Sequence, residues 1–174
     1  MKQLKIKSVL AVLVALCSLN GYAYDVEIDG IYYNLDAENK TAEVTNGDDR
    51  YTGDIVIPES IEDDGVTYSI TSIGDYAFRY CTSITSITIP NGVKSIKVCA
   101  FYGCFSLTSI TIPDGVTSIG ADAFRSCKGL TSITLGNSIT SIHNDAFREC
   151  SSLTSVTIPN SVTDISWYTF EYCI

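Results

Sequence analysis

Residues 107–129 read LTSITIPDGVTSIGADAFRSCKG, and nearly the same text recurs before and after them at a constant step equal to the length of this stretch. The residues that share the position of its phenylalanine are Phe78, Phe101, Phe124, Phe147 and Phe170. Cysteine keeps the same register at Cys81, Cys104, Cys127, Cys150 and Cys173. An unvarying period of this kind predicts a repeat protein in which each unit buries its apolar residues against its neighbours.

Each unit begins with an alternation of apolar and hydroxyl residues. In the central unit, Ile110 and Ile112 alternate with Ser109 and Thr111, which predicts a short strand with isoleucines inward and hydroxyls outward. The following Pro113-Asp114-Gly115 predicts a turn, because proline presets the backbone and glycine is favoured at the fourth turn position. The predicted interior of this unit consists of Leu107, Ile110, Ile112, Val116, Ile119, Ala123, Phe124 and Cys127.

The second half of the unit predicts a helical turn on its convex side. Ala123, Phe124 and Cys127 stand at near-helical spacing, with Asp122 before them and Arg125 after, the charge order that a short helical turn prefers. The expected fold is therefore a repeat solenoid, mainly β, with short convex helical turns.

Residues 1–23 are typical of a signal peptide. Three lysines precede an apolar run at residues 9–19, and Gly21-Tyr22-Ala23 suits cleavage after the alanine. This apolar run is too short for a membrane span, which needs about 20 residues. We expect an exported chain, extracellular or at the cell surface, with no transmembrane segment after cleavage. Lipid attachment through Cys17 remains an alternative.

Three further segments follow the predicted signal peptide. Residues 24–53 alternate in strand fashion around tight-turn signals such as Asp29-Gly30, which predicts a small N-terminal antiparallel β cap. Residues 54–83 form an irregular first repeat, in which an insertion between Ile61 and Ile70 predicts a hairpin. Regular repeats occupy residues 84–174, and the last one is expected to be truncated.

The charge distribution separates the N-terminal segment from the repeats. Loss of the three leader lysines would change the net charge from -9 to -12. Residues 24–75 hold fourteen acidic residues against two basic ones, whereas residues 76–174 hold six of each sign. An acidic chain without a basic stripe argues against nucleic acid as a partner, since lysine and arginine must neutralise phosphates.

Short motifs within each unit resemble a known family. The string Leu107-x-x-Ile110-x-Ile112 is similar to the LxxLxL of leucine-rich repeats. The Ile-Pro, Ile-Gly, Ala-Phe and Cys-x-x-Leu signature, over about residues 55–174, resembles the BspA-like class of surface proteins, named for Bacteroides surface protein A. This resemblance implies a right-handed leucine-rich-repeat superhelix and adhesion to host extracellular matrix proteins, other cells or glycans.

The chain departs from the ordinary leucine-rich-repeat pattern at its turns and at its end. One departure concerns the asparagine ladder, because Asn91, Asp114, Asn137 and Asn160 stand one place before its usual position. The other is that no C-terminal cap follows the last coil, so completeness of the chain stays open.

The reactive side chains give little support for chemistry. Five of the six cysteines outside the leader share one interior position, which favours buried free thiols, with neighbour-to-neighbour disulfides or a metal site as alternatives. Cys99 falls outside that register and is expected to be exposed. His143 is expected to be a solvent-facing turn residue, because it has no nucleophile or further ligands singled out by spacing. We therefore predict no enzyme, no catalytic residues, no metal and no cofactor.

The outward hydroxyl rows of the predicted strands are the candidate ligand-binding residues, because solenoids commonly bind partners on their extended sheet faces. They are Ser86, Thr88, Ser109, Thr111, Ser132, Thr134, Ser155 and Thr157. Threonine at water-facing strand positions also supports strand formation alone, which is the competing interpretation. The expected partner is an extracellular protein or glycan. Self-assembly through the strand edge at Val156 and Ile158, or a fragment of a longer surface protein, are the alternatives.

Overall fold

A computed structural model describes residues 24–173, so the predicted signal peptide lies outside the described residues. Within that range the chain forms short strands joined by turns, without a helix. The strands of the N-terminal part are β1 (Val26–Ile28), β2 (Ile31–Asp36), β3 (Thr41–Thr45), β4 (Thr52–Val56), β5 (Ser60–Asp63) and β6 (Val66–Ile73). Those of the later coils are β7 (Ser83–Thr88), β8 (Ser95–Ile96), β9 (Ser109–Thr111), β10 (Ser118–Ile119), β11 (Ser132–Thr134), β12 (Ser141–Ile142) and β13 (Asp164–Ile165).

Two rows of strands run through the stacked coils. One row pairs β6, β8, β10, β12 and β13 side by side, and Ser118 is bonded in register with its counterparts Ser95 and Ser141. The other row carries the predicted hydroxyl face and consists of two separate parallel pairs, β4 with β7 and β9 with β11. Equivalent residues of neighbouring coils therefore lie side by side.

The N-terminal strands extend the first of these rows. Strands β1, β2 and β3 form an antiparallel meander, and β3 pairs in parallel with β6. Asp29 and Gly30 join β1 to β2, and both have positive φ, at 51° and 76°, as the tightest hairpin turn requires. The meander thus pairs the backbone of the first coil, which would otherwise present an open strand edge.

The interior confirms the predicted inward positions. The eight residues predicted for the central unit are all buried, with exposed fractions between 0% and 4%. The five repeated phenylalanines stack nearly parallel, with ring centroids 5.0 to 5.4 Å apart and interplanar angles of 4° to 8°. Stacking of this kind contributes about 0.5–1.5 kcal/mol per pair beyond burial.

Tyr51 extends the phenylalanine stack at its N-terminal end. Its ring lies 4.7 Å from that of Phe78, and its hydroxyl donates to the carbonyl of Thr45 at 2.6 Å. The same hydroxyl accepts from the backbone N–H of Tyr32 at 3.0 Å. Burial raises the pKa of Tyr51 well above its usual range. A tyrosine suits this place because the stack ends there against polar backbone.

All six cysteines of residues 24–173 are free thiols. The thiols of Cys104, Cys127, Cys150 and Cys173 each donate to the phenylalanine carbonyl of the preceding coil, as Cys127 does to Phe101 at 3.1 Å and Cys150 to Phe124 at 3.1 Å. Burial raises the pKa of both thiols, so they stay protonated and act as small hydrogen-bonding core residues. Cys99 is half-buried rather than exposed, because side chains of the coils on either side, among them Arg79 and Asp122, lie near its thiol.

The convex segments contain turns instead of the predicted helical turns. In the central coil, the N–H groups of Phe124 and Ser126 donate to Ala146 and Arg148 of the next coil, each at 2.8 Å. Asp122 and Ser126 have positive φ, at 56° and 57°, which an α-helix does not allow. Within the coil, the N–H groups of Arg125 and Cys127 donate to Asp122 and Phe124, each at 3.1 Å. Bonds within these tight turns and bonds to the next coil together therefore take the place of the i→i+4 bonds of an α-helix.

Candidate functional site

The hydroxyl-bearing strands border a groove, here termed the strand-face groove, which crosses three coils. It has a volume of about 660 Å³ and runs between residues 86–91, 109–114 and 134–137. Five of the eight candidate binding residues line it, namely Ser86, Thr88, Ser109, Thr111 and Thr134. The other three, Ser132, Ser155 and Thr157, are exposed but lie outside it.

Strand alternation places these hydroxyls in rows. Ile87, Ile110 and Ile133 point inward, with exposed fractions of 7%, 4% and 8%, so the serine and threonine on either side of each face solvent. Strands β9 and β11 pair with Ser109 opposite Ser132 and Thr111 opposite Thr134. At a strand separation of about 4.8 Å, the hydroxyls form a regular, uncharged lattice.

A second row of side chains borders the groove at the turns. The Asp114 carboxylate accepts from the backbone N–H of Asn137 at 2.7 Å, and Glu59 accepts from the backbone N–H of Asn91 at 3.3 Å. Gly136 lets the coils approach closely here, since a Cβ on it would lie 2.5 Å from the carbonyl oxygen of Pro113. The shifted asparagine positions therefore serve bonds between coils and hold the turns side by side.

Asp54 belongs to the strand face, although the sequence analysis did not nominate it. It lies on β4 opposite Ser86, and one of its carboxylate oxygens accepts from the hydroxyls of Ser86 and Thr85, each at 2.7 Å. These hydrogen bonds lower the pKa of Asp54. The match between residues 54–61 and 109–116 already placed Asp54 at a serine position. The hydroxyl rows thus end at a fixed negative charge.

The strand-face groove offers hydrogen bonding rather than acid–base chemistry. Its hydroxyls are exposed and neutral, and His143 lies on the surface away from it. In residues 24–173, no group of three or more histidine, cysteine or acidic side chains is placed to hold a metal ion. A lattice of donors and acceptors at fixed spacing is suited to binding an extended polar surface.

Over the described range, residues 24–173, there is no helix with the length and apolarity needed to cross a membrane.

Comparison with solved structures gives similar proteins from several bacteria. A leucine rich repeat protein from T. pallidum is 30% identical, with a TM-score of 0.75 over 85% of this chain and 67% of its own. A leucine rich cell surface protein from Faecalibacterium prausnitzii is 27% identical, with a TM-score of 0.51 over 85% of this chain and 52% of its own. The pneumococcal vaccine antigen PcpA, at 18% identity and a TM-score of 0.62, shares the fold.

A comparison with curated proteins found no match. The family profile described as BspA type leucine rich repeat region matches residues 58–174 in six copies. That range covers most of the chain and includes every strand-face candidate. The stacked, strand-rich coils agree with the leucine-rich repeat fold of the T. pallidum protein. The chain belongs to the BspA-type leucine-rich repeat family.

Proposed function

We propose that the protein is a non-catalytic binding protein, secreted or displayed at the cell surface, which attaches to an extracellular protein or glycan through the strand-face groove. The observation that carries this proposal is the alignment of hydroxyls from three coils along one open groove of about 660 Å³. A single Ser-x-Thr pair is a weak recognition site, whereas stacking multiplies it along a surface that a large partner can follow.

Two observations support a role in interaction at the cell surface. The family is one of leucine-rich surface proteins, and the similar F. prausnitzii protein is described as a cell surface protein. Residues 1–23 have the composition of a secretion signal. We also propose that the stacked coils form a right-handed superhelix with a 23-residue repeat.

A binding screen of the purified chain against extracellular matrix proteins and glycans tests this proposal. In the test variant, Thr111→Arg and Thr134→Arg place bulky charged side chains in the groove; in the control variant, Thr67→Arg alters an exposed threonine on β6 outside it. We expect the partner found in the screen to bind at least about tenfold more weakly to the test variant and unchanged to the control.

Two outcomes contradict the proposal. If both variants retain binding, the site does not lie on the strand face. If the screen finds no partner, the proposed adhesin-like role is wrong. Self-association through residues 156–158 is the alternative function, so the molar mass of the chain should be measured over the concentrations of the screen. A concentration-dependent oligomer without other partners would favour that alternative.

A further inference from the structure

A second opening lies on the turn side of the first coil, where the N-terminal segment meets it. This turn-face cleft has a volume of about 490 Å³ and is lined by residues 46–51 and by turn residues between 76 and 81. Arg50 ties its two walls together, because its guanidinium donates to the carbonyl of Arg79 at 2.8 Å. Tyr51, anchored by the hydroxyl bonds described above, forms part of the same wall.

The repeat itself shows what is unusual about Arg79. Arg125 and Arg148 occupy the same position in later coils, and each is held by two carboxylates at distances between 2.8 and 3.3 Å. Around Arg79 the corresponding positions carry Tyr76 in place of an aspartate and Gly103 in place of a glutamate. Among residues 24–173, no carboxylate forms an ion pair with the Arg79 guanidinium.

Tyrosine rings surround Arg79 without a carboxylate partner among the described residues, whereas Arg148 has two tyrosine rings, at 5.7 and 5.4 Å, in addition to its carboxylates. The Arg79 guanidinium carbon lies 5.4, 5.0 and 5.6 Å from the ring centroids of Tyr76, Tyr80 and Tyr102. Gly103, with φ of 72°, makes room for this arrangement, because a Cβ on it would lie 2.6 Å from the Tyr80 ring. The rings orient the guanidinium by cation–π contact, and no acceptor within residues 24–173 takes its hydrogen-bond donors, which leaves them available to an anion.

The surrounding charges restrict which anion fits. Asp48 and Asp49 line the same cleft and are exposed, and residues 24–75 are strongly acidic as a whole. A chain of closely spaced sulfates, phosphates or carboxylates would be repelled by this field. A ligand with one carboxylate and several hydroxyls fits better. The arginines can bind the carboxylate, the aspartates can accept from the hydroxyls, and the Asn46 amide can both accept from and donate to them.

We propose that the turn-face cleft binds a sugar residue that carries a carboxylate, such as a sialic or uronic acid unit of an extracellular glycan. Arg79 and Arg50 face the carboxylate, Asp48 and Asp49 accept from ring hydroxyls, and the Tyr76 ring, which is 44% exposed, contacts the apolar C–H face of the sugar. The electron-rich face of an aromatic ring favours such C–H groups, which carry partial positive charge. This site is separate from the strand-face groove and does not rest on the function proposed for it.

Calorimetric titration with sialyllactose and with a hyaluronan hexasaccharide tests the proposal. We expect the purified chain to bind at least one of these probes, and to bind lactose or the methyl ester of the hexasaccharide at least about tenfold more weakly. Arg79→Gln should weaken binding at least about tenfold, and Arg79→Lys should restore it only partly, because lysine keeps the charge without the planar donor pair. Arg148→Gln, the matched change at a carboxylate-held arginine, should leave the affinity unchanged.

The following results would overturn the inference. Absence of binding to both probes, equal binding of acidic and neutral probes, or equal loss in the Arg79 and Arg148 variants would remove the site. Tighter binding of heparin or of poly-glutamate than of the acidic sugars would identify a polyanion or an acidic protein as the ligand instead. Thr111→Arg with Thr134→Arg, which alters only the strand-face groove, should bind the acidic sugars normally, so failure of either proposal can be recognised separately.

Discussion

The regular coils, residues 84–150, and the N-terminal part, residues 24–83, share one interior but present different surfaces. Phe78 stacks on Phe101 as closely as Phe101 stacks on Phe124, at 5.0 Å in each case. On the turn side, by contrast, Arg125 is held by carboxylates, whereas Arg79 has tyrosine rings around it and no carboxylate partner among the described residues. Repetition of the interior positions fixes the fold, and the surface positions that break the repeat are free to form a distinct site.

The strand face shows the same contrast on a smaller scale. In the regular coils the outward rows consist of serine and threonine, whereas on β4 they begin with Asp54 and an exposed Val56. The negative charge of Asp54 is hydrogen-bonded to the hydroxyls of the neighbouring coil. One end of the strand-face row is therefore chemically distinct, and a partner bound along the row would meet a different surface at each end.

The largest expected effect concerns the shared interior. Phe124→Ala removes a ring that is fully buried between Phe101 and Phe147, at centroid distances of 5.0 and 5.4 Å. We expect a loss of about 3–5 kcal/mol in the free energy of unfolding, measured by denaturant titration. Phe170→Ala should cost less, because Phe170 is half-buried and stacks on Phe147 alone within the described residues. Equal losses would mean that the stack does not act as a unit.

A smaller effect is expected at the N-terminal end of the stack. Tyr51→Phe keeps the ring on Phe78 but leaves the Thr45 carbonyl and the Tyr32 N–H without their buried partner. We expect a loss of about 1–3 kcal/mol in the free energy of unfolding. Tyr76→Phe, at a 44% exposed tyrosine, is the control and should change it by less than about 0.5 kcal/mol. If the two substitutions are equivalent, the hydroxyl bonds of Tyr51 do not stabilise the N-terminal end of the stack.

The buried thiols predict a loss of stability at alkaline pH. Burial raises the pKa of Cys127 in the folded state, so its stabilising contribution is complete below the ordinary thiol pKa of about 8.5 and falls as the pH rises through the folded value. Above a pH of about 8.5, each such buried thiol should lower the free energy of unfolding by about 1.4 kcal/mol per pH unit. Cys127→Ala should therefore flatten the dependence of the unfolding free energy between pH 7 and 9.5, in reducing buffer, by about that amount.

Cys99→Ala is the matched control for this pH dependence, because Cys99 is only half-buried. It should flatten the profile less than Cys127→Ala does. A profile that Cys127→Ala leaves unchanged would show that this thiol ionises as readily in the folded chain as in the unfolded one.

The smallest expected effect separates the two kinds of arginine. Arg148→Gln breaks contacts of 2.8 Å to Asp145 and 3.0 Å to Glu171, which should lower the free energy of unfolding only slightly, because ion pairs at the surface are weak. Arg79→Gln should cost close to nothing, since its guanidinium has no ion pair among the described residues. Thermal unfolding at low and high salt measures the effect of each substitution on stability, and the effect of Arg148→Gln should shrink with added salt. A larger loss for Arg79→Gln would show that its tyrosine surroundings are structural.

The interior could be predicted from the sequence because its positions repeat without interruption. Phe124, Cys127 and Ile110 had equivalents in each neighbouring unit at the same step, so their inward direction followed from periodicity alone. The convex turns were predicted wrongly as helical, because near-helical spacing of Ala123, Phe124 and Cys127 also fits a turn whose N–H groups bond to the next coil. Sequence spacing within a coil does not show which backbone groups are bonded between coils.

The sites depend on neighbours that are distant along the chain. The serines and threonines of the strand face could be nominated from alternation, but Ser132, Ser155 and Thr157 lie outside the groove that the other five line. The turn-face cleft needs residues 46–51 placed beside residues 76–81, and no short-range pattern predicts that approach. Only the absence of an aspartate at Tyr76, where Asp122 and Asp145 occur, was visible in the sequence as a signal.

The repeated strand face and the irregular turn-face cleft are proposed as two separate binding surfaces on one stack of coils. The most direct measurement is a single affinity matrix of two variants, Thr111→Arg with Thr134→Arg and Arg79→Gln, against the strand-face partner from the screen and the acidic sugar probes. We predict that the first variant loses only the screened partner and that the second loses only the acidic sugars, each by about tenfold or more. Loss of both ligands in either variant, or of neither ligand in both, would contradict the account.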